Sequence, residues 1–595
     1  MKTFKYNLGV GLLAFSTLFF SCNDDAFLTE KPETFYTIEN IFTTSSQVRQ
    51  VVTSCYEQVR YIYAPSDVMY FSPVHLYMGN NGTDMFDVPT IRYGQRLNDY
   101  GILSSQTDFY YNVYSEFYKL INMANTALAA AELEKLTWNS EQEKAETIAE
   151  ARFFRAFAYR NLGELFGGVP IVTGMTTEPR YDYIRTTRLE TYQFAIDEME
   201  ACLNNLPEIS GEAGRLVKAA AHHNLCQLYI DKGVVLSEEG GDAASAYNKA
   251  ISYANDVIDN GKYSLMTERF GTRMNENPDY YFATTVLDQT PDHLYSKAGY
   301  AIEGNVFWDL FQEGNQDYQQ GNREAIWVAQ MDYTVYKQES GRSCMVHSAN
   351  FGPVFRDQGG DLVNGSLEDV GGLGCCGVMP TFYTRDIIYE GKWADDMRNS
   401  EAVFRRQFLG NVKGTEYYGK LVPWNLLYKE DASGTKNDAA TTQLYPISCK
   451  IATDKYTGIN EGEDRSRLFR DDYLIRLPET ILLRAEAKMR AGDNGGAATD
   501  LNLLRNRAKC KYLVAAADVN LDLILDERAR ELVYEERRWN TLLRMGGTVA
   551  VDRIKKYSYW DAPRTTLTKN FNLWPIPQTV IDTNKDIKLE QNPGW

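Results

Sequence analysis

Apolar residues recur with helical spacing through much of the first 260 positions of the chain. Val48, Val52, Cys55 and Val59 share one stripe and predict a first helix over Ser45 to Tyr61. An extended lead-in over Thr29 to Thr43 precedes it. Tyr110, Val113, Tyr114, Phe117, Ile121 and Leu128 predict a helix over Thr107 to Ala131. Another runs from Glu143 to Leu165 and stops at Phe166-Gly-Gly-Val-Pro170. Thr187-x-x-Glu190 is a capping box opening the stripe Leu189, Tyr192, Ile196, Met199, Leu203 and Leu206. Leu216, Ala219, His223, Cys226 and Ile230 form the next stripe. Ala243, Tyr247, Ala250, Ala254 and Val257 form one more, closed by Asn260-Gly261.

The pattern changes after Gly261. Residues 262–470 are rich in Gly, Asn, Asp and aromatic rings, with strand-like pieces such as Ala325 to Met331. Helical spacing resumes in Asp471 to Ala487, continues through Ala497 to Ala508, and is expected to finish with one helix over Leu521 to Met545, stopped by Gly546-Gly547. The expected fold is mostly α: a tetratricopeptide-like helical-repeat scaffold built from N- and C-terminal parts, carrying a large loop-rich mixed insertion. Its divisions are a leader (1–21), N-terminal helices (22–261), the insertion (262–470), and C-terminal helices with an extended tail (471–595).

Charge raises a chemical question at the C-terminal helices. Glu527, Glu531 and Glu535 form an i,i+4 row beside Arg530, Arg537 and Arg538. Such a row is either a catalytic set or an ion-pair lattice joining helices, and the lattice is favoured because spacing alone provides no water-excluding pocket. Paired carboxylates are also easy to find among 80 acidic residues. The chain has no His-Glu-x-x-His helix, no Gly-x-Ser-x-Gly turn and no phosphate loop, so it reads as a non-enzyme without cofactor or metal. His222-His223 reads as packing, Cys375-Cys376 as a tight loop, and the acidic loops 275–279 and 357–361 lack calcium-loop spacing. A net charge of −18 makes nucleic acid a poor partner. The 40 Tyr, 27 Phe and 9 Trp are unusually abundant, and such an excess can serve interfaces or ligand platforms as well as core.

The N-terminus has a basic start, an apolar run from Leu8 to Phe20, and then Ser21-Cys22-Asn-Asp-Asp. This resembles a bacterial lipoprotein box, which implies lipidation of Cys22. Asn23-Asp24-Asp25 is similar to the export tag of surface lipoproteins in Bacteroidetes. Further along, Ala151 to Pro170, Tyr473 to Ala487, Glu527 to Gly546, Leu573-Trp-Pro-Ile-Pro577 and Asn592-Pro-Gly-Trp595 resemble, in order, the motifs of the SusD/RagB family of outer-membrane nutrient-binding lipoproteins. Arg323 to Trp327 and Asp396-Met-Arg398 are weaker landmarks. The resemblance implies a lipid-anchored protein at the cell surface. It would capture a glycan and deliver it to a SusC-like TonB-dependent transporter, without cleaving it. A peptide-uptake lipoprotein of the same family remains an alternative, and a surface glycoside hydrolase a more distant one.

Sugar rings present C–H faces and a fence of hydroxyls, so a platform needs exposed rings beside Asp, Asn and Arg. The candidates are Tyr77, Asn80, Asp84, Phe86, Arg92 and Tyr93 after the first helix, and Tyr300, Trp308, Tyr333 and Trp393 in the insertion, with Tyr383 behind them. Each ring has an alternative role in the core or against the transporter. Trp327, Trp539 and Trp574 are assigned to the scaffold.

Overall fold

The computed structural model describes residues 38–63, 80–89, 98–176, 178–281, 297–338, 347–354, 374, 376–410, 412–427, 442–451, 468–567 and 571–595. Among these residues, six long helices make the N-terminal part: α1 (Ser45–Tyr63), α2 (Asp108–Ala131), α3 (Glu141–Phe166), α4 (Arg188–Cys202), α5 (Lys218–Glu238) and α6 (Ala243–Ile258). Each packs on its neighbour in sequence, because each has an apolar stripe that it cannot bury alone. Ser140 accepts the Glu143 amide to start α3, and the Thr187–Glu190 capping box forms in full at α4. Among the described residues no helix is long and apolar enough to cross a membrane.

The helical array continues with a distant part of the chain. Helix α7 (Leu477–Arg490) packs on α6 and α5, and its Leu483 and Ala487 complete an apolar cluster with Cys226, Ile230, Val234, Ala250 and Ala254. Helices α8 (Asn494–Arg507) and α9 (Leu521–Leu532) lie against α7, α10 (Arg538–Arg544) against α3, and α11 (Val549–Tyr557) against α10.

Three expectations are corrected by the fold. The run Asp471 to Ala487 is not all helix. Strand β1 (Phe86–Asp87) is followed by β2 (Ala325–Ala329), β3 (Met379–Pro380) and β4 (Asp472–Arg476), and β4 pairs antiparallel with β2 before Pro478 helps start α7. The helix expected over Leu521 to Met545 is broken between α9 and α10, where Tyr534 takes a φ of 66°. That left-handed residue turns the chain, and its ring goes into a buried cluster with Phe86 and Phe351. The lead-in also contains a short helix, Ile38–Ile41.

Outside the helices the sheets are small two-stranded ladders. β1 pairs with β3, which joins the segment after α1 to the middle of the chain. Trp327 on β2 is 2% exposed and edge-on to Phe153 and Phe157 of α3, and Trp539 and Trp574 are buried beside one another, as scaffold rings should be.

Candidate functional site

The acidic row is a lattice, and it leaves no carboxylate for chemistry. Glu527, Glu531 and Glu535 lie where α9, β4 and the insertion meet. Arg398 donates to Glu527 (2.7 Å), Glu531 (3.0 Å) and Asp396 (2.6 Å). Arg476 of β4 joins Glu324 (2.6 Å), Glu531 (3.3 Å) and Glu535 (2.7 Å), and Lys450 adds a bond to Glu535 (2.6 Å). Burial would push Glu527 up, but Arg398, Arg530 and Arg505 outweigh it and hold its carboxyl at about 2. Permanently ionised groups so enclosed can neither donate a proton nor reach a ligand. His223 is enclosed as well: its Nδ1 meets Thr480 Oγ1 at 2.8 Å inside the helical array, and burial, with Arg160 and Arg528 nearby, holds it well below the usual imidazole range, so it stays neutral. Cys376 is buried, with its thiol donating to the Thr442 carbonyl (3.3 Å), and among the described residues no group of His, Cys, Asp or Glu is arranged to hold a metal.

Four of the candidate ligand residues are internal, which corrects the expectation of exposure. Asp84 is fully buried and accepts from Arg538 (2.7 and 2.8 Å) and Arg553 (2.7 Å). Burial opposes its charge, yet the two guanidinium groups pull its carboxyl down to about 2. Asn80, 5% exposed, closes a turn in which its carbonyl accepts the Thr83 hydroxyl at 2.7 Å. Phe86 packs on Phe351 and Tyr534, at 5.4 and 5.2 Å between centroids. Trp308 is buried under Arg273 and Arg269, whose guanidinium carbons lie 4.6 and 5.4 Å from its ring centre. Segment 80–88 is therefore fastened to α10 and α11, helped by Trp539 Nε1 donating to the Asn81 carbonyl (2.8 Å).

Tyr333 and Trp393 are half-buried. Tyr333 stands edge-on to Phe469 (4.9 Å), and the Trp393 ring has Arg530 at 4.2 Å, Arg505 at 4.6 Å and Tyr512 edge-on at 5.0 Å. Tyr300 lies on the strand Lys297–Ala301. Tyr77, Arg92, Tyr93 and Cys22 lie outside the described residues. Tyr383 is buried, with its hydroxyl donating to Asp526 (2.5 Å).

Two open concavities were not anticipated. One, of about 420 Å³, lies between α1, residues 212–215 and β2; its Arg49, Glu150 and Arg215 pair among themselves at 3.4 and 2.8 Å. The other, of about 470 Å³, is lined by Tyr111, Tyr114, Tyr118, Asn122 and Asn125 of α2, by Pro170 to Tyr183, and by the last helix, Gln578–Thr583. Tyr114 and Tyr118 stack at 4.8 Å, and the Tyr118 hydroxyl donates to the Pro170 carbonyl (2.6 Å). Burial pushes the Tyr114 hydroxyl up to about 12, so this wall stays uncharged. The sequence signal was present, since Tyr111, Tyr114, Tyr118, Asn122 and Asn125 share one face of α2 at spacings of three and four. It was missed because the same periodicity describes core.

Two family models match the chain: the SusD family over residues 305–595, and "Starch-binding associating with outer membrane" over residues 26–230. A SusD-like protein of Bacteroides ovatus is 24% identical over 278 residues, and the match spans about half of each protein, 46% of this chain and 48% of the relative. SusD-like protein P2 of Formosa agariphila is 22% identical with 100% of both chains covered. Among solved structures, a SusD homolog from Bacteroides thetaiotaomicron superposes with a TM-score of 0.67 at 17% identity, covering 95% of this chain and all of that one. A laminarin-binding SusD-like protein gives a TM-score of 0.59 at 20% identity, covering 93% of this chain and all of the other.

Proposed function

Since this chain belongs to the SusD family, which matches it in both halves, we propose that it is an outer-membrane-associated lipoprotein that binds a glycan and passes it to a SusC-like TonB-dependent transporter. The observation that carries the reading is its similarity along 93% of its length to a laminarin-binding member of the same fold. The full occupation of the acidic row by arginine and lysine supports binding without cleavage. Anchoring is assigned to a lipid on Cys22. The ligand platform is assigned to Tyr77, Arg92, Tyr93 and Tyr300 together with the partly exposed Tyr333 and Trp393. Asn80, Asp84, Phe86 and Trp308 are internal and are not assigned to it.

Affinity electrophoresis of the mature chain against neutral polysaccharides and a peptide panel tests the function. Retardation by at least one polysaccharide is expected, with no accumulation of reducing ends. Binding to peptides alone, or steady product release, overturns the reading. Cys22→Ala is expected to move the protein from the membrane to the soluble fraction and to abolish incorporation of labelled fatty acid.

A further inference from the structure

The tyrosine-lined cavity beside α2 plays no part in the platform just described, yet it is built like a ligand site. The buried face of α2 carries Phe109, Val113, Phe117, Leu120 and Ala124. The neighbouring stripe ends in Tyr111, which is 42% exposed, and Asn122, also exposed, where an ordinary surface helix would show charge. The walls are fixed before any ligand arrives. Asn125 donates to the carbonyls of Val172 (2.9 Å) and Gly174 (3.2 Å) and accepts from Arg155 (2.8 Å). Asn584, at the end of the last helix, exchanges hydrogen bonds with the backbone of Tyr183 at 2.9 and 2.8 Å. A preset wall of this kind lowers the ordering cost of binding.

The lining is electrically neutral. Among the described lining residues the one charged side chain, Arg180, is paired with Asp182 through two bonds of 3.0 and 3.1 Å and lies 5.1 Å from the Tyr183 ring centre. Among the described residues, no protein hydrogen bond engages the side chains of Asn122, Thr176 or Thr579, all of which line the cavity. A purely apolar occupant would cover these three groups and leave them unpaired, at about 1–3 kcal/mol each. An uncharged ligand with apolar faces and many hydroxyls satisfies both the rings and the polar groups. The volume of about 470 Å³ lies in the range of small-molecule sites.

We propose that this cavity is a second carbohydrate site, separate from the insertion platform, that takes one or two residues of a neutral saccharide. It rests on the reading above only in choosing saccharides as the ligand class. The test is calorimetry of the mature chain with maltose, cellobiose and laminaribiose, and with the polymer that retards it most. Tyr111→Ala and Asn122→Ala alter exposed side chains and are expected to weaken disaccharide binding about tenfold each, the equivalent of one lost stacking or hydrogen-bonding contact. Tyr111→Phe, which keeps the ring, should stay within about twofold of the wild type. A Tyr333→Ala/Trp393→Ala variant, which lowers binding at the platform, should retain disaccharide binding that Tyr111→Ala still weakens. Polymer binding with no disaccharide bound, or disaccharide binding indifferent to Tyr111→Ala and Asn122→Ala, overturns the site and leaves the proposed function standing. Weakened association of Tyr111→Ala with the transporter, with saccharide binding unaltered, makes the cavity a protein contact and also overturns it. Failure of every polymer and saccharide to bind removes the proposed function itself.

Discussion

Asp84 has the chemistry of a sugar ligand and the surroundings of a keystone. Its two oxygens accept from Arg538 and Arg553, 454 and 469 positions away in the chain. Two buried cations left facing a neutral group are costly, so Asp84→Asn is expected to destabilise the protein by about 3–5 kcal/mol in urea titrations at neutral pH. The sign of its pH dependence follows from the depressed carboxyl. The stabilisation is complete above the ordinary value of 3.8 and is lost as pH falls through about 2. Sequence identifies Asp84 as a polar residue in a loop between aromatic rings. Which arginines reach it is decided by a fold that brings opposite ends of the chain together, and no local pattern carries that information.

Single elements were legible where local signals and burial agree. α4 begins where its capping box predicts, and Thr187→Ala is expected to cost about 1 kcal/mol in thermal or urea unfolding by removing the Glu190 amide's partner. The stop after α3 was equally clear, and its physical content is close contact. A Cβ on Gly168 would sit 1.9 Å from the Thr186 carbonyl oxygen, so Gly168→Ala must displace one of two backbones, and a loss larger than that of Thr187→Ala is expected. The break between α9 and α10 was not legible. The residues around it have helical spacing, but Glu535 is taken by Arg476 and Lys450, and Glu536 by Arg528 and Arg538. Those tertiary bonds, with Tyr534 in the left-handed region, outweigh local propensity. β4 likewise reads as the start of a helix until β2 supplies its hydrogen-bonding partner.

For the molecule as a whole, acid is the expected weak point. Asp84, Glu486 and Glu527 are all held near 2, so each adds stability that disappears between about pH 4.5 and 2. His347, pushed by burial to about 3, is neutral when folded and charged when unfolded below its usual 6.5, which also lowers stability as pH falls. Asp87 and Asp472, raised by burial to about 6, act in the opposite sense between about pH 6 and 4. The steep loss is therefore expected below about pH 4.5, read as the urea midpoint against pH, and Glu527→Gln should flatten it. A second expectation concerns the divided scaffold. A fragment of residues 22–261 leaves the α5–α6 surface without Leu483 and Ala487, and should bind a hydrophobic dye and unfold without cooperativity. The sequence by itself determined the helical period, the caps and the family motifs, because these depend on residues within a few turns of one another; it favoured an ion-pair lattice for the acidic row, but the partners Arg398, Arg476 and Lys450 come from distant parts of the chain. The tertiary structure decided which rings and carboxylates are internal, where the last helices break, and that α2 turns a tyrosine face to an open cavity. Those outcomes depend on contacts between residues hundreds of positions apart, where many pairings are equally consistent with the local pattern and only packing selects among them.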